Sequence, residues 1–346
     1  LTDSRENLIM ITMFPFNPRP KTFVVPCVRI SLLLLLGWFL VCTLLAPGRG
    51  SIVRDVSFPA GSGIKSLATE LKQGGVIRSS WHFILLARLR GQAHRLKAGD
   101  YRFTDAMTPG DILRKLVTGD VDYRRFVLPE GYSVYQAAEM LEQKGYFKRD
   151  AFLAVCRDAL LLKRLGIRAD TVEGYLFPAT YNLAHNSTEE QLVTQMVCRF
   201  RQVYADVTSG GQEQGVLSPN EIVTLASIIE KEAVSAEEKP LIASVFYNRL
   251  RLGMPLQSDP TAVYGVRAFS GKVTKADICR HSPYNTYFVK GLPPGPIGNP
   301  GADALRAALH PSSSNYLYFV ARQDGTHHFS RTLEEHNRAV ALYLRN

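Results

Sequence analysis

SFPAGSGIKSLATELKQGGVI (57–77) aligns without gaps on VLPEGYSVYQAAEMLEQKGYF (127–147), and this pairing decides how the chain is read. Pro59/Pro129, Gly61/Gly131, Ala68/Ala138, Leu71/Leu141, Gln73/Gln143 and Gly75/Gly145 coincide. Each copy reads as a strand, a Pro-x-Gly turn, an amphipathic helix and a glycine stop. The glycines satisfy turn geometry and need no ligand, so the duplicated unit predicts scaffold. Between the copies, WHFILLARLRG (81–91) has the apolar spacing of a helix. KAGDYRFTDAMTPGDILRKLVTGD (97–120) reads as a short strand, then a helix capped by Thr-Pro. Strands and helices alternate, which predicts a small α/β module. After the second copy, 151–166 is a further apolar helical stretch and 205–218 (ADVTSGGQEQGVLS) a flexible connection.

Upstream, residues 22–46 read TFVVPCVRISLLLLLGWFLVCTLLA. The uncharged run from Ile30 to Ala46, at about 1.5 Å per residue, barely spans a ~30 Å hydrocarbon core. Val24, Val25 and Val28 extend it if Arg29 snorkels. The run ends in LAPGRG, without the small-x-small pattern of a cleaved signal, so a retained single-pass helix is expected. Arg19, Lys21 and Arg29 precede it, while Arg49 and Arg54 follow. That balance favours a cytoplasmic N-terminus, with residues 1–21 a short tail.

The chain has 346 residues, 46% of them apolar and 21% charged, which excludes a disordered protein. Its net charge of +10 predicts an anionic neighbour. Zinc-finger spacing, RNA-binding aromatic motifs and dense Lys/Arg tracts are missing, which argues against nucleic acid. Cys27, Cys42, Cys156, Cys198 and Cys279 make neither a disulfide framework nor a CxxC metal site.

The chemistry sits downstream. Glu221 to Leu250 reads as two helices broken near Ser235 to Pro240, with Ser218 or Asn220 as the cap. LASIIEKEA (225–233) places Glu230 and Glu232 at the end of an apolar run. The apolar stripe passes through Ile222, Leu225, Ile228 and Ile229, and Glu232 continues its edge. Glu230 lies nearly opposite, beside Val223 and Ala226. Desolvation raises a carboxyl pKa, and a raised pKa suits protonation of a glycosidic oxygen. The plainer reading pairs either acid with Arg249 or Lys231 and ties two helices together. LQSDPTAVYG (256–265) then collects Gln257, Ser258, Asp259 and Thr261 around a proline turn. SPYNTYFVKGLPPGPIGNPG (282–301) supplies Tyr284, Asn285, Thr286 and Tyr287 before a rigid loop. Aromatic faces, amides and hydroxyls suit sugar rings, and a proline-rich loop loses little entropy on binding. His310, His327, His328 and His336 fit no HExxH spacing, so neither a metal nor a cofactor is expected.

ASIIEKE, SVFYNRL, LQSDPT, YNTY, GLPPGPIGNPG, HPSSSNYLYFV and THHFSRTLEEHN together resemble the MltG (YceG-like) endolytic murein transglycosylases. KAGDYRF, LPEG and EGYLFPATY extend the likeness upstream. The resemblance implies an α+β chain: a single transmembrane helix (22–46), a small LysM-like module (52–122) and a mainly helical, lysozyme-like catalytic domain with short strands (123–346). The second copy of the repeat would occupy 123–160. It also implies a carbon–oxygen lyase that cuts the MurNAc–GlcNAc bond of nascent strands and leaves 1,6-anhydro ends, terminating glycan elongation. Glu232 would be the acid and then the base. Glu230, Gln257, Ser258, Asp259, Tyr284, Asn285, Thr286, Tyr287, Glu173 and Tyr175 would meet substrate. Implied partners are peptidoglycan strands and synthases at the inner membrane, with the catalytic domain periplasmic. FPATY departs from the family's FPDTY at Ala179. A non-catalytic scaffold for synthases and a hydrolytic muramidase, with Glu173 or Asp259 as second acid, are the competing readings.

Overall fold

The computed structural model describes residues 24–59, 61–184, 186–209, 217–266 and 273–343, with side chains from Arg29 onward. The tail expected at 1–21 lies outside the described residues, as does 210–216 of the expected connection. The chain divides into two compact units, Leu1–Asp122 and Tyr123–Asn346.

The first unit runs α1 (Val24–Leu44), β1 (Val53–Phe58), α2 (Ile64–Gln73), α3 (Ser80–Leu89), β2 (Gly99–Thr104) and α4 (Pro109–Thr118). β1 and β2 pair antiparallel, from Val53 opposite Thr104 to Phe58 opposite Gly99. Their alternation sends Val56, Phe58, Tyr101 and Phe103 inward onto Leu67 and Leu71 of α2, Phe83 of α3 and Ile112, Leu113 and Leu116 of α4. Thr108 and Asp111 cap α4 reciprocally, with Pro109 in the first turn. Asp105 accepts from Gly50 N, Ile52 N and Ser51 Oγ, fastening the start of the unit to the turn after β2.

The spanning helix expected at 22–46 is not found among the described residues. α1 buries Cys42 and Thr43 at its end and packs on α3 and α4, while Ile30 to Leu36 stay largely exposed. Among the described residues no helix is long and apolar enough to cross a membrane.

The second unit begins with β3 (Arg124–Val127) and α5 (Val134–Gln143), and α5 keeps the register of α2 in the sequence alignment. Gly61 and Gly75 have φ of 86° and 74°, and Gly131 and Gly145 have 72° and 66°. Only glycine adopts that region freely, which explains its recurrence in both copies. The stretch 151–166 is two helices, α6 (Arg149–Val155) and α7 (Ala159–Arg164), because Asp158 turns to accept from Leu161 N and starts a new helix. β4 (Thr180–Leu183) then returns and pairs antiparallel with β3. The second copy therefore acquires its partner strand well beyond residue 160.

α8 (Glu189–Thr208), α9 (Pro219–Glu232), α10 (Lys239–Arg251), α11 (Asp259–Val263), α12 (Lys275–Ile278) and α13 (Ala302–Leu309) follow. β5 (Tyr318–Ala321), β6 (His327–Ser330) and α14 (Leu333–Tyr343) close the chain. One core gathers Phe126, Leu141, Phe152 and Val193 around β3 and α5. Another gathers Leu225, Ile228, Ile242, Phe246, Ile297 and Leu305 where α9, α10 and α13 meet. Every sheet among the described residues is a two-stranded antiparallel pair, and the described fold is α+β.

Candidate active site

α9 is enclosed on all sides from Ile222 to Ile229, so its last turn delivers Glu230, Lys231 and Glu232 straight from the core to its margin. Ser218 and Glu221 form the capping box that starts the helix. Asn220, the other expected cap, accepts instead from the Tyr175 hydroxyl at 2.9 Å. Glu230 is a tie. Its Oε1 receives Lys239 Nζ at 2.8 Å and its Oε2 receives Gly301 N at 2.9 Å, joining α9 to the start of α10 and the loop before α13. The helix-tying pair anticipated for one of the acids thus uses Lys239, which sequence reasoning missed.

Glu232 is different. Ser258 Oγ donates to its Oε1 at 2.5 Å. Burial pushes the Glu232 carboxyl up to about 7 against that hydrogen bond, while Asp259 adds to the rise and Arg249 opposes it. A carboxyl raised that far keeps its proton well above the ordinary carboxylate range, which suits it to donate a proton and take one back.

Two loops hold Ser258 in place. Ser258 N donates to Thr286 Oγ1 at 3.0 Å, Gln257 N to Thr286 O at 3.1 Å, and Thr286 N to Thr261 Oγ1 at 3.1 Å. Gln257 adopts a φ of 51°, the one positive φ among described non-glycine residues, so this joint stores backbone strain beside the acid. Asn285 is buried and gives its Nδ2 to Ile278 O and Arg280 O, at 2.9 and 2.7 Å. Tyr287 donates to Asp259 Oδ1 at 2.6 Å on the exposed side. Behind the loops, buried Arg249 donates through Nε to Leu317 O at 2.7 Å and through Nη1 to Leu256 O at 2.8 Å.

Glu173 forms a separate knot. Both its oxygens accept Val134 N, at 3.1 and 3.0 Å, and they also receive Asn299 Nδ2 at 3.1 Å and the Tyr264 hydroxyl at 3.0 Å. Burial pushes this carboxyl up to about 7 despite those donors and nearby Lys231. Asn299 is fully buried and also serves Tyr132 O and Leu176 N, both at 2.8 Å. The GNPG segment is thereby buttoned onto the Pro-x-Gly turn of the second copy. Gly298 belongs there because a Cβ would lie 2.5 Å from Gly131 O. Asn299, Tyr264 and Lys239 escaped the sequence reading. Asn299 left a signal, lying between glycine and proline in a loop already marked as rigid.

Glu232, Gln257, Ser258, Asp259, Thr286 and Tyr287 therefore share one neighbourhood. Tyr284 connects to it through Tyr264, ring centroids 4.6 Å apart. Tyr175 lies against Phe200 at 5.1 Å, and its hydroxyl is taken by Asn220. His327 is held by Glu238 at 2.8 Å, and His336 stacks on Tyr318 at 5.2 Å. Among the described residues no three His, Cys, Asp or Glu side chains gather as a metal site.

Residues 56–342 match the model of the YceG-like family. A Bacillus subtilis protein named endolytic murein transglycosylase is 33% identical over 305 residues, covering 84% of each chain. A Streptococcus pneumoniae protein of the same name is 32% identical over 321 residues, and the match covers 84% of this chain but 58% of that longer one. The crystal structure of a yceG-like protein from Listeria monocytogenes aligns with a TM-score of 0.56 and 36% identity, over 83% of this chain and 99% of the other.

Proposed function

This chain belongs to the YceG-like family, and on that premise we propose that it is a lytic murein transglycosylase whose single catalytic acid is Glu232. The observation that carries the reading is the Glu232 carboxyl, held by Ser258 and poised at about 7. Protonated Glu232 gives its proton to the glycosidic oxygen as the bond to the muramyl C1 breaks. Positive charge at C1 is met by the substrate's own N-acetyl group. Glu232, now anionic, takes the proton of the C6 hydroxyl, whose oxygen closes onto C1. Water is not consumed, and the strand ends in an anhydro sugar.

The other carboxylates support one-acid chemistry. Both oxygens of Glu230 and of Glu173 are engaged inside the protein, so we assign these residues to holding the site. Asn285, Thr286 and Tyr175 join them. Contact with sugar falls to Gln257, Ser258, Asp259, Tyr284 and Tyr287. Ala179 packs on the β3–β4 core, with its carbonyl receiving Leu128 N at 3.0 Å, so in this chain position 179 supplies nothing to the Ser258–Glu232 contact.

Asp259 alone favours a second reading, because it lies near enough to raise Glu232 and would serve as base for a hydrolytic water. Mass spectrometry of uncrosslinked glycan digested with the full chain separates the two. Anhydro ends are expected. Reducing ends would replace the lyase with a hydrolase, and uncut strands would leave a scaffold.

Three wider proposals accompany the reaction. The β1–α2–α3–β2 order supports a LysM-like glycan-binding role for residues 52–122, ahead of a catalytic domain at 123–346. The exposed run Ile30–Leu36 supports membrane attachment through α1, with the catalytic part outside the cytoplasm; cell fractionation with this run made polar tests it. Termination of strand growth beside synthases follows, and longer glycan strands in cells carrying Glu232→Gln would support it.

A further inference from the structure

An open cleft of about 760 Å³ lies on the second unit, between α7 and the segment 166–170 that follows it. Leu162 and Ile167 are buried beneath it, and Arg157, Lys163 and Arg168 line it exposed, against one carboxylate, Asp170. Neighbouring Arg164 is already paired with Glu190 at 2.5 Å. Three cations around one acid in a concave wall make a site for anions.

Arg157 is held in place. Its Nη2 donates to the Tyr135 hydroxyl at 2.8 Å, and its guanidinium lies 5.8 Å from the centre of that ring. Tyr135 meets Tyr264 edge-on at 6.0 Å, and Tyr264 leans on Tyr284 at 4.6 Å. Tyr264 ends α11, whose opposite end is Ser258, the donor to Glu232. Burial above all, with Glu173, Tyr135 and Asp170 after it, pushes the Tyr284 phenol up, so the rim of the cleft is within electrostatic reach of the YNTY segment. A run of aromatic contacts thus links Arg157 in the cleft to Tyr264 and Tyr284 beside α11.

We infer that this cleft receives the carboxylates of the peptide stems carried by the glycan strand, an inference resting on the murein substrate proposed above. The sugar backbone is neutral once its amines are acetylated, so the anionic part of that substrate is the stem. A stem of five residues reaches about 17 Å when extended, a length comparable with the successive steps of 4.6, 6.0 and 5.8 Å from Tyr284 through Tyr264 and Tyr135 to Arg157.

The test uses the full chain and a soluble wall pentapeptide, with free or fully amidated carboxylates, in calorimetric titration. The free form binds and the amidated form is at least tenfold weaker. Lys163→Glu combined with Arg168→Glu, both on the surface, removes binding with circular dichroism unchanged. In digestion, the KM advantage of stem-bearing over amidase-stripped strands disappears in the same variant. Equal affinity for the two peptides, or undiminished binding by the variant, overturns the assignment. So does binding of phosphatidylglycerol vesicles that is lost in the variant while the peptide never binds. If the wild type binds the peptide yet cuts neither strand, the transglycosylase reading fails and the cleft assignment stands.

Discussion

Glu232 and Ser258 carry the sharpest expectations at the scale of single residues. Glu232→Gln keeps the size of the side chain but removes the transferable proton, so kcat falls at least 100-fold, the range for losing a general acid. Product counting on uncrosslinked glycan reads it, and a variant within threefold of wild type would remove Glu232 from the reaction. The wild-type rate is expected to fall above pH about 7, where the carboxyl loses its proton. Ser258 Oγ stabilises the anion, so Ser258→Ala raises the pKa and moves that fall to higher pH. A pH–rate profile checks the direction, and a downward shift would contradict the geometry. The family resemblance singled out Glu232 as the acid, but the residues by themselves drew little of this contrast. The helical wheel separates Glu230 from Glu232 only weakly. Their different fates are set by Lys239, Gly301 and Ser258, which reach them from other elements.

At the scale of elements, local signals were readable and distant ones were not. The strand–turn–helix copies, the Thr108 and Ser218 caps and the break after Glu232 all depend on residues a few positions apart. β4 escaped because its pairing with β3 closes a long excursion through three helices. The splitting of 151–166 escaped too, since apolar spacing continues across Asp158 while its side chain ends one helix and begins the next. Asn299 shows the same limit, because its partners Tyr132, Glu173 and Leu176 lie far back along the chain. The α9–α10 junction rests on a comparable long-reaching contact. Lys239 and Glu230 are both nearly buried, at 6% and 7% side-chain exposure. Lys239→Met strands a buried carboxylate and lowers stability by about 3–5 kcal/mol in urea unfolding. Adding Glu230→Leu restores most of that loss. If the double variant is no better than the single, the pair is not what couples these helices.

For the molecule as a whole, the elevated carboxyls dictate how stability follows pH. Glu173 moves from 4.5 to about 7 on folding, and Glu232 moves the same way. A group with a raised folded pKa holds its proton more tightly in the native state, so unfolding free energy falls as pH climbs from about 4.5 to about 7 and then levels. Glu173 alone is worth on the order of 3 kcal/mol across that window. The depressed carboxylates, such as Asp324 and Glu335, act in the opposite sense but only below their ordinary range. The two windows scarcely overlap, so Glu173 and Glu232 together weaken the second unit between pH 5 and neutrality, partly offset by His336, whose lowered pKa acts in the opposite sense. Glu173→Gln cannot titrate, and its urea midpoint therefore declines much less between pH 5 and pH 7 than that of the wild type. The comparison concerns the slope, which is insensitive to any constant penalty from mismatching Val134 N, Asn299 and Tyr264. Parallel slopes for the two proteins would mean that Glu173 is ionised throughout and that the knot around Asn299 is held by a charge rather than by a shared proton.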